Sequence, residues 1–187
     1  MHWDEKRDLA LLRVIGAQAY PFCDQPSIKP LRQPKNEPFR EPPSYFAFPY
    51  VRLAESAPKI NAELLCIGHP GSEDLETSIA GVATGYDVLH ISQGRFRGYA
   101  RGQDRQDNSE IGALRHDCWT YWGHSGAPLI EMATEGSARS KAGRLTGREG
   151  RLVGLHSSWD EDTGMRRGVG WEALRTFLEE SKKMRLL

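Results

Sequence analysis

The sequence has no excess of either charge: 25 lysines and arginines oppose 25 aspartates and glutamates, for a formal net charge of zero. That balance offers no basic surface to recruit nucleic acid or an anionic membrane, and no acidic one either. The basic run "RSKAGRLTGR" has no interleaved aromatics, so it reads as a solvated loop and no nucleic-acid partner is expected. Apolar runs are short. None approaches the ~18 residues of a membrane span, so no membrane partner is expected. The opening "MHWDEKRDLALLRV" lacks the apolar centre of a signal peptide, which leaves localisation open, and cytoplasmic if this N-terminus is genuine. Cysteine is scarce. Cys23, Cys66 and Cys118 stand at scattered spacings, which is no disulfide framework. One bridge fits, and so do free thiols in a reducing compartment. No pair has zinc-finger spacing, so neither a metal nor a cofactor is expected.

Proline is unevenly spread. Nine of the eleven prolines fall between Pro21 and Pro58, where missing N–H groups and restricted neighbours disfavour a sheet interior. Residues 21–58 therefore read as a linker or insertion, with room for one short strand near "YFAFPYVRL". It separates an N-terminal piece, 1–20, from a larger domain, 59–187. "DLALLRV" reads as a buried strand. Glycine-punctuated strands are expected at 62–71, in two pieces over 77–92, in "GAPLIEM", over 151–159 and in "GMRRGVGW". "RFRGYARGQDRQDNSEIG" reads as a polar hairpin or disordered tip, and 133–150 as an exposed loop. At the C-terminus Trp171, Leu174, Phe177 and Leu178 recur at helical spacing. Many short strands followed by one helix predict an all-β barrel with a docked terminal helix.

The stretch "CWTYWGHSGAPLI" holds the chemistry. A serine hydroxyl is a poor nucleophile unless a base takes its proton and a carboxylate orients that base. The oxyanion then formed needs backbone N–H donors aimed at one point. In "GHSGAP" a glycine two residues before Ser125 lets the chain turn so that two amides converge, and a glycine just after it leaves room for substrate. A serine in a plain glycine turn would look the same.

Other stretches decide between these readings. "GHSGAPL" resembles the G-[DN]-S-G-[GS]-P-[LV] nucleophile motif of trypsin-like, chymotrypsin-fold serine peptidases. "RDLALLRV" resembles the strand bearing their catalytic aspartate. "GRLVGLHSSW…GVGW" resembles the lining of their primary specificity pocket, and "LLCIGHPG" a strand of the glutamyl endopeptidase branch. The resemblance implies a double β-barrel, with the N-terminal barrel incomplete and the C-terminal barrel complete. It implies Ser125 as nucleophile, Asp8 as orienting carboxylate, and the Gly123 and Ser125 amides as oxyanion hole. His124 replaces an aspartate that binds a new N-terminus in pancreatic-type members, so that activation switch is not expected. His156, with Thr120, Ser157 and Ser158, would line the pocket and favour glutamate or aspartate before the cut; a hydrogen-bonded core histidine is the other reading of His156. Arg166 and Arg167 would add positive charge. The acidic 160–162 would oppose it if it faced the pocket.

The base is missing from this pattern. In the family the catalytic histidine precedes the aspartate by tens of residues, and only His2 precedes Asp8 here, on what reads as an unanchored terminus. The chain is thus expected to be either part of a longer peptidase or a product without its first barrel. Little or no activity is expected from it alone, and the missing N-terminal segment is a candidate partner beside a peptide or protein substrate. His69-Pro70-Gly71 reads as a turn, Cys118 as a wall residue, and His116 and Asp117 as loop. Two rivals remain: an α/β-hydrolase esterase, which would require a helix after Ser125, and a pseudo-peptidase that binds peptides in a retained cleft.

Overall fold

The computed structural model describes residues 2–12, 51–132 and 150–184. Cys23, most of the proline-rich segment and all but Gly150 of the loop expected at 133–150 lie outside these residues. The first strands, β1 (His2–Asp4) and β2 (Leu9–Leu11), pair as an antiparallel hairpin. Seven more follow: β3 (Arg52–Leu53), β4 (Glu63–Gly68), β5 (His90–Tyr99), β6 (Leu114–His116), β7 (Pro128–Glu131), β8 (Arg151–Asp160) and β9 (Met165–Gly170). Helix α1 (Trp171–Lys183) ends the described chain.

Antiparallel pairing runs in the order β8-β7-β4-β5-β6-β9, and β9 pairs back onto β8. This closes a six-stranded barrel and removes the open sheet edges that would otherwise template further pairing. The fold is the one expected of the second barrel, with its terminal helix. β3, within the stretch read as a linker, adds in parallel to the outside of β8. That is the short strand anticipated near "YVRL".

The barrel interior follows from alternation. In β4, Leu64, Cys66 and Gly68 face inward while Glu63, Leu65 and Ile67 are more accessible. Leu64, Cys66, Phe96, Leu114, Cys118, Leu129 and Val153 form the core. Cys66 and Cys118 are both free thiols. Burial pushes each up to about 12, so neither supplies a thiolate near neutrality.

A second apolar cluster joins Leu9 of the hairpin to Val169, Ala173, Leu174 and Phe177. The helix thus uses its periodic face to hold the hairpin, and barrel, hairpin and helix belong to one compact unit. Burying a leucine such as Leu9 contributes about 1.5–3 kcal/mol. Arg7 bonds Asp4 on its own hairpin and Glu180 on the helix, at 2.5 and 2.6 Å. His2 stacks on Phe177 with ring centroids 5.3 Å apart. The terminus read as unanchored is therefore a strand fixed to the helix.

Three expectations about elements are corrected. Residues 77–89 hold no strand; their region contributes a single bridge, Glu73 to Ala83. The long strand lies later, at His90–Tyr99, through "RFRGY", which had read as polar hairpin or disorder. Its inward positions begin with Ser92, Gly94 and Phe96, the first two too small to register as hydrophobic alternation, and the register then shifts so that Tyr99 lies opposite Leu114. His116, read as loop, sits fully buried in β6.

Candidate active site

Residues 121–127 form two consecutive β-turns between β6 and β7. The His124 amide donates to the Tyr121 carbonyl at 3.1 Å, and the Ala127 amide to the His124 carbonyl at 2.8 Å. Each turn has glycine in its third place with positive φ: Gly123 at 96° and Gly126 at 83°. Turns of this kind favour glycine there because an L side chain is strained. Gly123 has a second reason. A Cβ on it would stand 2.5 Å from the His69 carbonyl oxygen. Around Gly126 nothing lies within 4 Å, so its requirement is conformational, rather than the room for substrate read from the sequence.

Neighbouring segments clamp the bend. The Gly71 amide donates to the Trp122 carbonyl at 2.6 Å, so the His69-Pro70-Gly71 turn buttresses the bend that carries Ser125. On the other side the Gly126 amide donates to the His156 carbonyl, and the His156 amide to the Ala127 carbonyl, both at 2.8 Å. The amides of Gly123 and Ser125 bond no acceptor among the described residues, which leaves two N–H groups beside the exposed hydroxyl. Those are the donors an oxyanion requires.

Ser125 Oγ donates to the Ser157 carbonyl at 3.1 Å. Ser157 is the extra residue of a β-bulge in β8, between the His156–Gly168 and Ser158–Arg167 pairs. Bulges re-aim a strand locally and recur beside active sites. Nothing in "LHSSW" announces this one, because a bulge is set by the register of two distant strands. Ser157 Oγ and Ser158 Oγ lie 3.4 Å apart. Thr120 sits half-buried between β6 and the bend.

No histidine ring among the described residues hydrogen-bonds the hydroxyl, whose bond goes to the Ser157 carbonyl. His124 is fully buried. Its Nδ1 lies 3.0 Å from the Tyr121 carbonyl, and its ring occupies the space a side chain on Gly68 would need. Trp119 meets it edge-on. Burial, with His90 and His69 nearby, lowers its pKa. His116 and His156 form a buried pair, Nε2 to Nδ1 at 3.1 Å. With both rings neutral, one of these two nitrogens donates and the other accepts. His116 Nδ1 is buried without a hydrogen-bond partner. Burial pushes His156 down to about 4, with His124 and Arg166 adding to it, and pushes His116 down to about 3, with His156 and Arg166 adding to it. The imidazole expected to greet an acidic substrate is therefore 5% exposed, neutral near pH 7 and engaged with His116 through Nδ1.

Asp8 stands in the turn that enters β2, with φ of 55° and an exposed side chain. No hydrogen bond joins it to a histidine among the described residues. Among those residues no group of three or more His, Cys, Asp or Glu is placed to hold a metal ion. The chain runs from Ser125 into strand β7 rather than into a helix, which removes the α/β-hydrolase reading.

What the geometry offers is an exposed hydroxyl, two free amides and an extended bulged strand beside it. Comparison with known proteins agrees. No curated protein and no solved structure matches the chain. A family model described as a trypsin-like peptidase domain matches residues 1–137, ending before β8, β9 and α1, which complete the barrel. The match includes both the Asp8 turn and the Ser125 bend, and on it this chain belongs to the trypsin-like peptidase domain family.

Proposed function

We propose that the chain carries the nucleophile half of a serine endopeptidase. Ser125 Oγ attacks the carbonyl carbon of a peptide bond. The hydroxyl proton passes to a base, the oxyanion sits between the Gly123 and Ser125 amides, and the amine leaves with the proton as the acyl-enzyme forms. Water then reverses these steps. Asp8 is the orienting carboxylate in this reading. Thr120 and Ser157 line the subsite for the residue before the cut, and an acidic side chain there suits their hydroxyls, while Ser158 pairs with Arg167 on the other face of the sheet. The observation that carries the proposal is the double turn with two unbonded amides flanking an exposed serine.

Ser125 Oγ rests on a carbonyl, which cannot accept a proton. No imidazole among the described residues bonds it. Turnover by this chain alone is therefore slower by several orders of magnitude than with a triad base, and an N-terminal segment bearing a histidine is the proposed partner. The same resting contact favours a second reading, a pseudo-peptidase that holds peptides without cutting them.

Purified chain would be offered a serine-directed fluorophosphonate and a fluorogenic peptide, with added imidazole as an external base and Ser125→Ala as control. Slow, imidazole-enhanced labelling confined to Ser125 is expected. Peptide binding with an unlabelled Ser125 would establish the second reading. Absence of both would refute the peptidase cleft.

A further inference from the structure

Arg166 stands in β9 directly across from His116 of β6 and Trp159 of β8. Paired residues share a face of the sheet, and His116 is fully buried. Arg166 therefore starts from the inner face, at the mouth of the barrel. Arg167, the next residue, goes to the other face, where the Gly112 carbonyl, Asp160 and the Gln103 side-chain oxygen take up its guanidinium. Arg166 has no such set. Its guanidinium lies 4.2 Å over the Trp159 ring. Its Nε is buried without any acceptor, which is uncommon for a donor removed from water.

The carboxylates around it are already committed. Asp117 accepts from the Arg97 side chain at 2.6 Å and from the Arg95 amide. Asp160 pairs with Arg167 at 2.5 Å, on the outer face. Arg166 forms no ion pair among the described residues, and arginine stays charged at any physiological pH. The neighbouring His116 and His156 rings carry no compensating negative charge. A lone cation is left over, half-buried and supported on an aromatic face.

Its position relative to the nucleophile is fixed by the strand. Ser157 holds Ser125 Oγ through its carbonyl. Trp159, on which Arg166 lies, is two residues further, about 7 Å along an extended chain. A carboxylate carried by the residue whose carbonyl Ser125 attacks spans a similar distance.

We propose that Arg166, rather than His156, is the specificity-determining residue of the cleft, pairing with the side-chain carboxylate of a glutamate or aspartate immediately before the scissile bond. The assignment rests on the peptidase reading above. Arginine suits the role because its planar fork binds carboxylates in two parallel hydrogen bonds and stacks on Trp159 at the same time. His116 and His156 form an uncharged floor behind it.

Binding of cleavage-product peptides tests this without requiring turnover. Two fluorescent peptides identical except for a C-terminal glutamate or glutamine would be titrated against the chain by anisotropy. The glutamate peptide is expected to bind roughly tenfold more tightly, as a charge-assisted pair contributes over a neutral one. Arg166→Gln is expected to bring the two Kd values together, and Arg166→Lys to restore part of the difference. Melting temperatures of both variants, and their binding of the glutamine peptide, check that the cleft persists. If Arg166→Gln is unfolded, the lysine variant and the salt dependence of the wild-type ratio decide: a ratio insensitive to both refutes the pair. Equal binding of both peptides, or a ratio unchanged in Arg166→Gln, overturns the role of Arg166 alone. Binding of neither peptide overturns the cleft, and this assignment with it.

Discussion

Gly123→Ala tests the clamp between the nucleophile bend and the 69–71 turn. Two costs add. The backbone at φ 96° is strained for any L side chain, by roughly 1–2 kcal/mol. The new methyl would stand 2.5 Å from the His69 carbonyl oxygen and 2.9 Å from the Gly71 nitrogen, both backbone atoms and both inside the 3.0 Å that Cβ atoms essentially never breach. Overpacking of that kind costs about 1–3 kcal/mol. Gly126→Ala is the matched control. Its φ of 83° carries similar strain, but its Cβ would meet nothing within 4 Å. Only the difference between the two variants reports the clamp, so it is expected to be about 1–3 kcal/mol. For a chain of this size that separates the melting temperatures by roughly 5 °C. Differential scanning fluorimetry on the two variants suffices. Equal melting temperatures would refute the idea that the turn at 69–71 fixes the bend.

Three further outcomes are expected. The buried His116–His156 pair has pKa values depressed below the 6.5 of a free imidazole, so the unfolded chain gains protons first as pH falls. Stability is complete above ~6.5 and declines toward pH 4, by up to ~1.4 kcal/mol per pH unit for each ring. Urea unfolding at pH 7, 6 and 5 should show that slope, reduced by about half in His116→Gln; an unchanged slope would mean other groups set the acid limit. Arg167→Ala leaves Asp160, 12% exposed, without its cation, and should cost about 3 kcal/mol; a loss under ~1 kcal/mol would show that water replaces the pair. Leu9→Ala removes the hairpin's anchor on α1 and should cost about 2–5 kcal/mol, with early amide exchange in residues 2–12; unaltered exchange there would contradict the docking.

The bend at Ser125 was legible because its constraints are local. Two turns each require glycine in a given place, and "GHSGA" supplies them two residues before the serine and one after. The terminal helix was legible for the same reason, its apolar face repeating at 3.6 residues. Short strands with small inward residues left little trace. Ser92 and Gly94 of β5 face the barrel, yet they read as polar or neutral, so the sequence pattern carries a strand only to Ser92 and gives "RFRGY" as a polar hairpin or disordered tip. His2 illustrates the converse error, since its anchoring depends on a phenylalanine 175 positions later.

The sequence alone determined the all-β class and the glycine-framed double turn around Ser125, since each depends on neighbours within a few residues. Tertiary structure alone decided which charges cancel. Asp160 and Arg167 neutralise one another across one face of a hairpin, while Arg166, one residue away, is turned to the opposite face and left unpaired. Strand alternation makes that separation, and the β-bulge at Ser157, which depends on how β8 registers against β9, sets where it falls relative to Ser125.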